Sequence, residues 1–126
     1  MSLQIEPQVV FDWFYQINQI PRESGHEKAI SDFLVRFAKE RNLEVEQDDC
    51  WNVIIRKPAS PGYEEAEPVI IQGHMDMVCV KTEDSLHDFS KDPIEMLVEG
   101  NILRANMTTL GADDGVAVAM QLALLD

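Results

Sequence analysis

Basic side chains are scarce in this sequence. Ten lysines and arginines stand against 23 aspartates and glutamates, a net charge of −13 over 126 residues. Nucleic acids and anionic membrane surfaces are drawn to basic patches, so neither is an expected partner. Cysteine is nearly absent, with Cys50 and Cys79 the two in the chain. With so few and no secretory leader, both are expected to stay as thiols. No apolar run approaches the length of a membrane span, and the N-terminus lacks the basic-then-apolar order of a signal peptide. Repeats, low-complexity tracts and internal domain boundaries are also missing. What remains is one domain's worth of chain at most, 45% hydrophobic and therefore able to build a core. Its charge balance suits a soluble cytoplasmic enzyme.

Apolar periodicity places the elements. Val9, Val10, Trp13, Phe14, Ile17 and Ile20 recur at helical spacing, and Pro21 stops that helix. Ser24 and Glu27 have the form of a capping box opening a second helix with the stripe Ala29, Ile30, Phe33, Leu34, Phe37 and Ala38. Residues 43–46 and 52–56 read as strands, and 96–98 with 102–104 as a hairpin around Glu99-Gly100-Asn101. Residues 69–72 read as a strand buried on both faces, as in a sheet covered by helices. Residues 116–125 are apolar nearly all round, and a helix of that kind expects burial on every side. Such a helix at the end of the chain implies the front part of a larger protein. An intact small domain with a dimer interface there is the other reading. If the sheet is incomplete, exposed strand edges predict self-association.

The chemistry gathers where the third strand ends, in Val69-Ile70-Ile71-Gln72-Gly73-His74-Met75-Asp76. Residues i and i+2 of an extended chain point to one face, so the His74 imidazole and the Asp76 carboxylate emerge side by side. A metal-ligating histidine is commonly held by such an acceptor. The second feature is Thr109-Leu110-Gly111-Ala112-Asp113-Asp114-Gly115, just before the apolar helix. Each has a plain structural alternative. A lone histidine after a strand is more often a hydrogen-bonded structural residue, and a carboxylate before a helix usually caps it. Jointly, His74 and Asp113 sit where α/β folds place their sites. Zinc accepts histidine nitrogen and carboxylate oxygen, and one carboxylate can bridge two ions. Met75, Met77 and Met120 read as core, His26 as local structure, and His87 has no assigned role.

Three segments together resemble successive motifs of a known family: Gly73-His74-Met75-Asp76-Met77-Val78, His87-Asp88-Phe89-Ser90-Lys91-Asp92-Pro93-Ile94, and Thr108-Thr109-Leu110-Gly111-Ala112-Asp113-Asp114-Gly115. The family is the bacterial Xaa-His (aminoacyl-histidine) dipeptidases, or peptidase D, of the zinc aminopeptidase and carboxypeptidase superfamily. Ile20-Pro21-Arg22-Glu23-Ser24-Gly25-His26-Glu27 and Ile55-Arg56-Lys57-Pro58-Ala59 fit the same pattern. The segment from His87 to Ile94 separates this subgroup from related tripeptidases and acylases.

The resemblance implies an α/β fold, with residues 1–126 the N-terminal part of a three-layer αβα catalytic domain with a central mixed sheet. It implies His74 as a ligand of one zinc, Asp113 as the carboxylate bridging two Zn2+ ions, and Asp76 as the residue of the catalytic site that orients His74. It also implies a cis peptide between Asp113 and Asp114. The implied parent is a cytoplasmic homodimer that hydrolyses small dipeptides. In the family pattern the general-base glutamate and further ligands lie beyond residue 126, so these residues alone are expected to be inactive and at best a weak metal binder. The alternatives are a tripeptidase or N-acyl amino acid hydrolase with the same two-metal core, and a non-catalytic truncated interaction module. Met107 stands where the pattern usually has glycine, which predicts a different path for the loop before Asp113, and Trp51 stands at another such position, before Asn52, where it is expected to cover the strand edge.

Overall fold

The first helix, α1, runs Gln8–Asn18 and turns Trp13, Phe14, Ile17 and Asn18 inward, as the apolar spacing predicts. The protein is described here by a computed structural model covering residues 3–126; Met1 and Ser2 lie outside it. Helix α2, Lys28–Glu40, buries Ile30, Ser31, Leu34, Phe37 and Ala38. Its end is well defined. The Leu43 N–H donates to the Ala38 carbonyl at 2.9 Å and the Asn42 N–H to that of Lys39 at 3.1 Å, with Asn42 at φ 55°. That is the Schellman arrangement, and asparagine tolerates the left-handed conformation it needs. The turn feeds directly into β1, Glu44–Gln47, which pairs antiparallel with β2, Val53–Arg56. A second antiparallel pair, β3 (Met96–Glu99) and β4 (Ile102–Ala105), is closed by Gly100-Asn101, with Gly100 at φ 61°.

The last helix, α3, spans Ala112–Leu125, but Asp113 and Asp114 have non-helical backbone angles, so its regular turns begin beyond them. It packs against α1. Trp13, Phe14, Ile17, Ile30, Leu34, Phe37, Val118, Ala119 and Leu122 form one core, with Trp13 edge-on to Phe37 at 5.0 Å. A smaller cluster of Met77, Ile94 and Ala105 sits beneath the β3–β4 hairpin and the segment after His74. Both cysteines are free thiols, Cys50 exposed and Cys79 half-buried. Among the described residues no helix is long and apolar enough to cross a membrane.

Helices and strands combine as an α/β chain, with several departures from expectation. Residues 69–72 form no strand ladder. Val69 and Ile70 are 84% and 91% exposed, because among the described residues no strand pairs with them and no helix covers them. The two sheets are separate two-stranded antiparallel pairs. Nor is α3 covered all round, since Met120 and Leu124 face outward and Met120 leaves the expected core. The capping box at α2 does not form either. Gly25, at φ 89°, turns the chain, and Glu27 Oε1 accepts from its N–H at 2.5 Å while Ser24 points elsewhere.

Met107 and Trp51 stand where the chain takes a conformation that glycine adopts more cheaply. Both adopt the left-handed φ that glycine would supply, 61° and 69°, instead of rerouting the chain. Around Trp51 an Asx turn provides support: Asp48 Oδ1 accepts from the N–H groups of Cys50 and Asn52. At Met107 the carbonyl accepts from the Thr82 N–H at 3.0 Å.

Candidate metal centre

His74 stands between two carboxylates. Its Nδ1 lies 3.0 Å from Asp76 Oδ1, and its Nε2 lies 3.1 Å from Asp113 Oδ1, although the partners at Nε2 are 39 residues apart in sequence. The side-by-side placement of His74 and Asp76 follows from their i, i+2 spacing. The approach of Asp113 does not, and depends on contacts further along both segments. Thr109 supplies several. Its N–H donates to the Val80 carbonyl at 2.8 Å, its hydroxyl donates to the Val78 carbonyl at 2.7 Å, and it accepts from the Val80 N–H. An antiparallel bridge between Lys81 and Thr108 continues the contact. Residues 78–82 are thereby laced to 107–109, which carries the loop bearing Asp113 alongside His74.

Close packing completes the approach. Gly73 lies against the start of α3, where a Cβ would come within 2.9 Å of Gln121 Nε2 and 3.0 Å of Asp114 Oδ2. The Asp113–Asp114 peptide is cis, in agreement with what the resemblance implied. Gly111 takes φ 75°, so the chain turns into the two aspartates through a conformation suited to glycine.

The electrostatics favour a positive charge at His74. Burial is the largest single influence on its pKa and opposes ionisation, but the hydrogen bonds that the ring donates to Asp113 and then Asp76 outweigh it and hold the value above the usual histidine range. Asp76 is held below the ordinary carboxylate range, first by the Ser24 hydroxyl and then by His74. An ion-binding histidine is used in its neutral form, with one nitrogen protonated and bonded to an acceptor and the other free to ligate. Asp76 on Nδ1 fits the first role and leaves Nε2 for the second.

The donor set fits zinc. Two donors of one tetrahedral zinc ion stand about 3.4 Å apart, given bonds of about 2.0–2.2 Å. The observed 3.1 Å between Nε2 and Oδ1 is close to that value. The Asp113 side chain is 98% exposed, and a carboxylate has a second oxygen with which to reach a further ion. Among the described residues no group of three histidine, cysteine, aspartate or glutamate side chains is placed to hold an ion. His74 and Asp113 could supply two donors of such a shell.

No family model matches the chain. It is 45% identical over 122 residues to the cytosol non-specific dipeptidase of Escherichia coli (strain K12), which covers 97% of this chain and 25% of that protein. The crystal structure of aminoacylhistidine dipeptidase from Vibrio alginolyticus superposes with a TM-score of 0.94 at 42% identity, again over 97% of this chain and 25% of the other. This chain is homologous to the dipeptidases. It spans about a quarter of the length of these dipeptidase relatives.

Within the part shared with the dipeptidases, two residues were missed by sequence reasoning. Arg22 is 2% exposed, and Ser24 donates to Asp76 Oδ2 at 2.5 Å. Both were visible only as members of a motif. An arginine between two helices in an acidic chain ordinarily reads as solvent-facing, and Ser24 read as a helix cap. The guanidinium instead occupies a slot walled by glycines. A Cβ on Gly111 would lie 2.5 Å from Arg22 Nη2 and 2.8 Å from Met77 Sδ, and one on Gly115 would lie 2.8 Å from Arg22 Nη2.

Gly111→Ala is accordingly expected to cost about 2–4 kcal/mol, from the left-handed φ together with overpacking against a fixed side chain. Gly100→Ala is the control. It shares a positive φ but meets nothing within 4 Å, and should cost about 1–2 kcal/mol. Urea unfolding of the two variants measures the difference, and equal midpoints would remove the steric half of the prediction.

Proposed function

We propose that the protein to which this chain belongs hydrolyses small dipeptides, Xaa-His among them, in the cytoplasm as a homodimer with a two-zinc site. The observation that carries the reading is the pairing of His74 Nε2 with Asp113 Oδ1 at 3.1 Å, with Asp76 on the far side of the ring. The chain is also 45% identical to a cytosol non-specific dipeptidase. His74, through Nε2, and Asp113, through its carboxylate, would hold the zinc. When bound, the ions supply a hydroxide nucleophile at neutral pH and polarise the scissile carbonyl. Asp76 keeps a proton on Nδ1 and fixes the ring plane, so that Nε2 meets an ion with its lone pair. Catalytic zinc usually takes three protein ligands. With two in hand, residues 1–126 alone bind zinc weakly and lack activity under this reading.

The test uses the whole protein, stripped with a chelator and then titrated with zinc, against Xaa-His and other dipeptides, a tripeptide and an N-acyl amino acid. Dipeptide cleavage that disappears with the metal and returns with about two zinc equivalents per subunit is the expected result. Preference for the tripeptide or the N-acyl substrate would transfer the site to those chemistries. Undiminished hydrolysis after stripping would overturn the metal mechanism.

A further inference from the structure

We propose that Arg22 and Ser24 are positioning residues of the metal centre. Arg22 sets the separation of the two ligand-bearing segments, and Ser24 sets the carboxylate that orients His74. The inference rests on the proposed function, because it concerns what holds those ligands in place.

Arg22 follows α1 in a short connection, yet its guanidinium is buried and touches every segment that builds the site. Nη1 donates to the Met75 carbonyl at 3.2 Å and lies 3.5 Å from that of Asp76. Nη2 donates to the Gly111 carbonyl at 2.9 Å and to Asn18 Oδ1 at 2.7 Å. One planar group thus spans from the His74 side to the Asp113 side. Asn18, 1% exposed at the end of α1, extends the span by donating to the Leu110 carbonyl at 3.3 Å. Burial pulls the Arg22 pKa down to about 10, while Cys79 and Asp76 push it up, so it stays charged at neutral pH. Removing such a group would leave carbonyls of both segments without their donor, in a slot kept open by Gly111 and Gly115. Lysine cannot replace it, since a single ammonium lacks the fork that reaches four acceptors in a plane.

Ser24 lies two residues on, held in line by a second backbone contact. The Met77 N–H donates to the Arg22 carbonyl at 2.9 Å and the Ser24 N–H to the Met77 carbonyl at 3.3 Å, a parallel bridge between residues 23 and 77. This brings the Ser24 hydroxyl to Asp76 Oδ2, opposite the oxygen that faces His74. The resulting chain is Ser24 to Asp76 to His74 to Asp113. Each carboxylate oxygen of Asp76 has one partner, so its plane is defined, and with it the plane of the imidazole. Partners of this kind behind a metal ligand typically matter about 10–100-fold in affinity or activity.

The test measures zinc affinity of the whole protein by competition with a chromophoric chelator, alongside urea unfolding of the metal-free form. Ser24 is exposed and outside both cores, so Ser24→Ala is expected to lower zinc affinity about tenfold with little change in the metal-free midpoint. Ser24→Thr, which retains the hydroxyl, should restore it. Arg22→Lys is expected to lose about 10–100-fold; if it does not fold, the Ser24 pair decides. Affinity unchanged in Ser24→Ala and Arg22→Lys, while His74→Ala loses zinc, would overturn this inference and leave the metal centre standing. Failure of threonine to rescue would overturn the role of the hydroxyl. Zinc binding indifferent to His74→Ala as well would remove the metal centre itself, and this inference with it.

Discussion

In the whole protein, His74→Ala is expected to lower kcat/KM for a dipeptide by about 10³-fold or more and to reduce the zinc retained after dialysis. Alanine removes the proposed ligand and leaves Asp76 and Asp113 without the group that each faces. The Lewis acidity of a bound ion contributes several kcal/mol to the transition state, and each 1.4 kcal/mol or so is a factor of ten in rate. Asp113→Asn should fall in the same range, because the amide keeps the shape while losing the charge and one acceptor oxygen. Asp76→Asn is the graded case. It touches the ring rather than an ion, and about 10–100-fold is expected. Zinc content and steady-state kinetics on the same preparations separate these ranks. Wild-type zinc content and kcat/KM in His74→Ala would exclude it as a ligand, and equal effects of all three changes would contradict the separate role given to Asp76.

Phe14→Ala is expected to cost about 3–5 kcal/mol of folding stability. The ring is fully buried between α1 and α3, in the cluster with Ile17, Val118, Ala119 and Leu122. Its edge lies over Gly115, where a Cβ would come within 3.1 Å of Phe14 Cε2. Truncation opens a void at the root of the helix that follows Asp113 and Asp114, where neighbours cannot collapse without moving the loop that carries them. A domain of this size holds about 5–15 kcal/mol in all, so the change would use a large share of it. Val9→Ala, at a position on α1 that is 48% exposed, should stay within about 1 kcal/mol. Denaturant midpoints measure both. A Phe14→Ala midpoint no lower than that of Val9→Ala would mean that the α1–α3 contact does not hold the fold.

Local pattern carried the helices and the hairpin. The stripes of α1 and α2 and the Glu99-Gly100-Asn101 turn are short-range signals, readable because the residues that interact are close in sequence. The pairing of His74 with Asp76 was legible for the same reason. What was not legible is non-local. Residues 69–72 have the composition of a buried strand, but composition does not say whether strands lie alongside, and here Val69 and Ile70 are exposed. Ser24 and Glu27 have the spacing of a capping box, yet a partner 52 residues away takes the serine hydroxyl. Arg22 is the extreme case. Its acceptors besides Asn18 lie 53 to 89 residues further on, and no periodicity marks it. For Asp113 the motif named the residue, while its approach to His74 depends on Thr109 and Gly73, whose contacts are again long-range.

The shared hold of Arg22 on both segments bears on protein engineering. A His-x-Asp segment and a Gly-Ala-Asp-Asp turn look like two cassettes that could be transplanted into another scaffold. Their spacing, however, resides in neither cassette. It is encoded by a guanidinium from a third stretch of chain, by the glycines that admit it, and by the amide at the end of α1 that braces it. A graft that copies the visible cassettes and omits Asn18, Arg22, Gly111 and Gly115 would inherit the side chains without their separation. The minimal transferable unit is the set of all three stretches, which makes this centre a poor candidate for piecemeal borrowing.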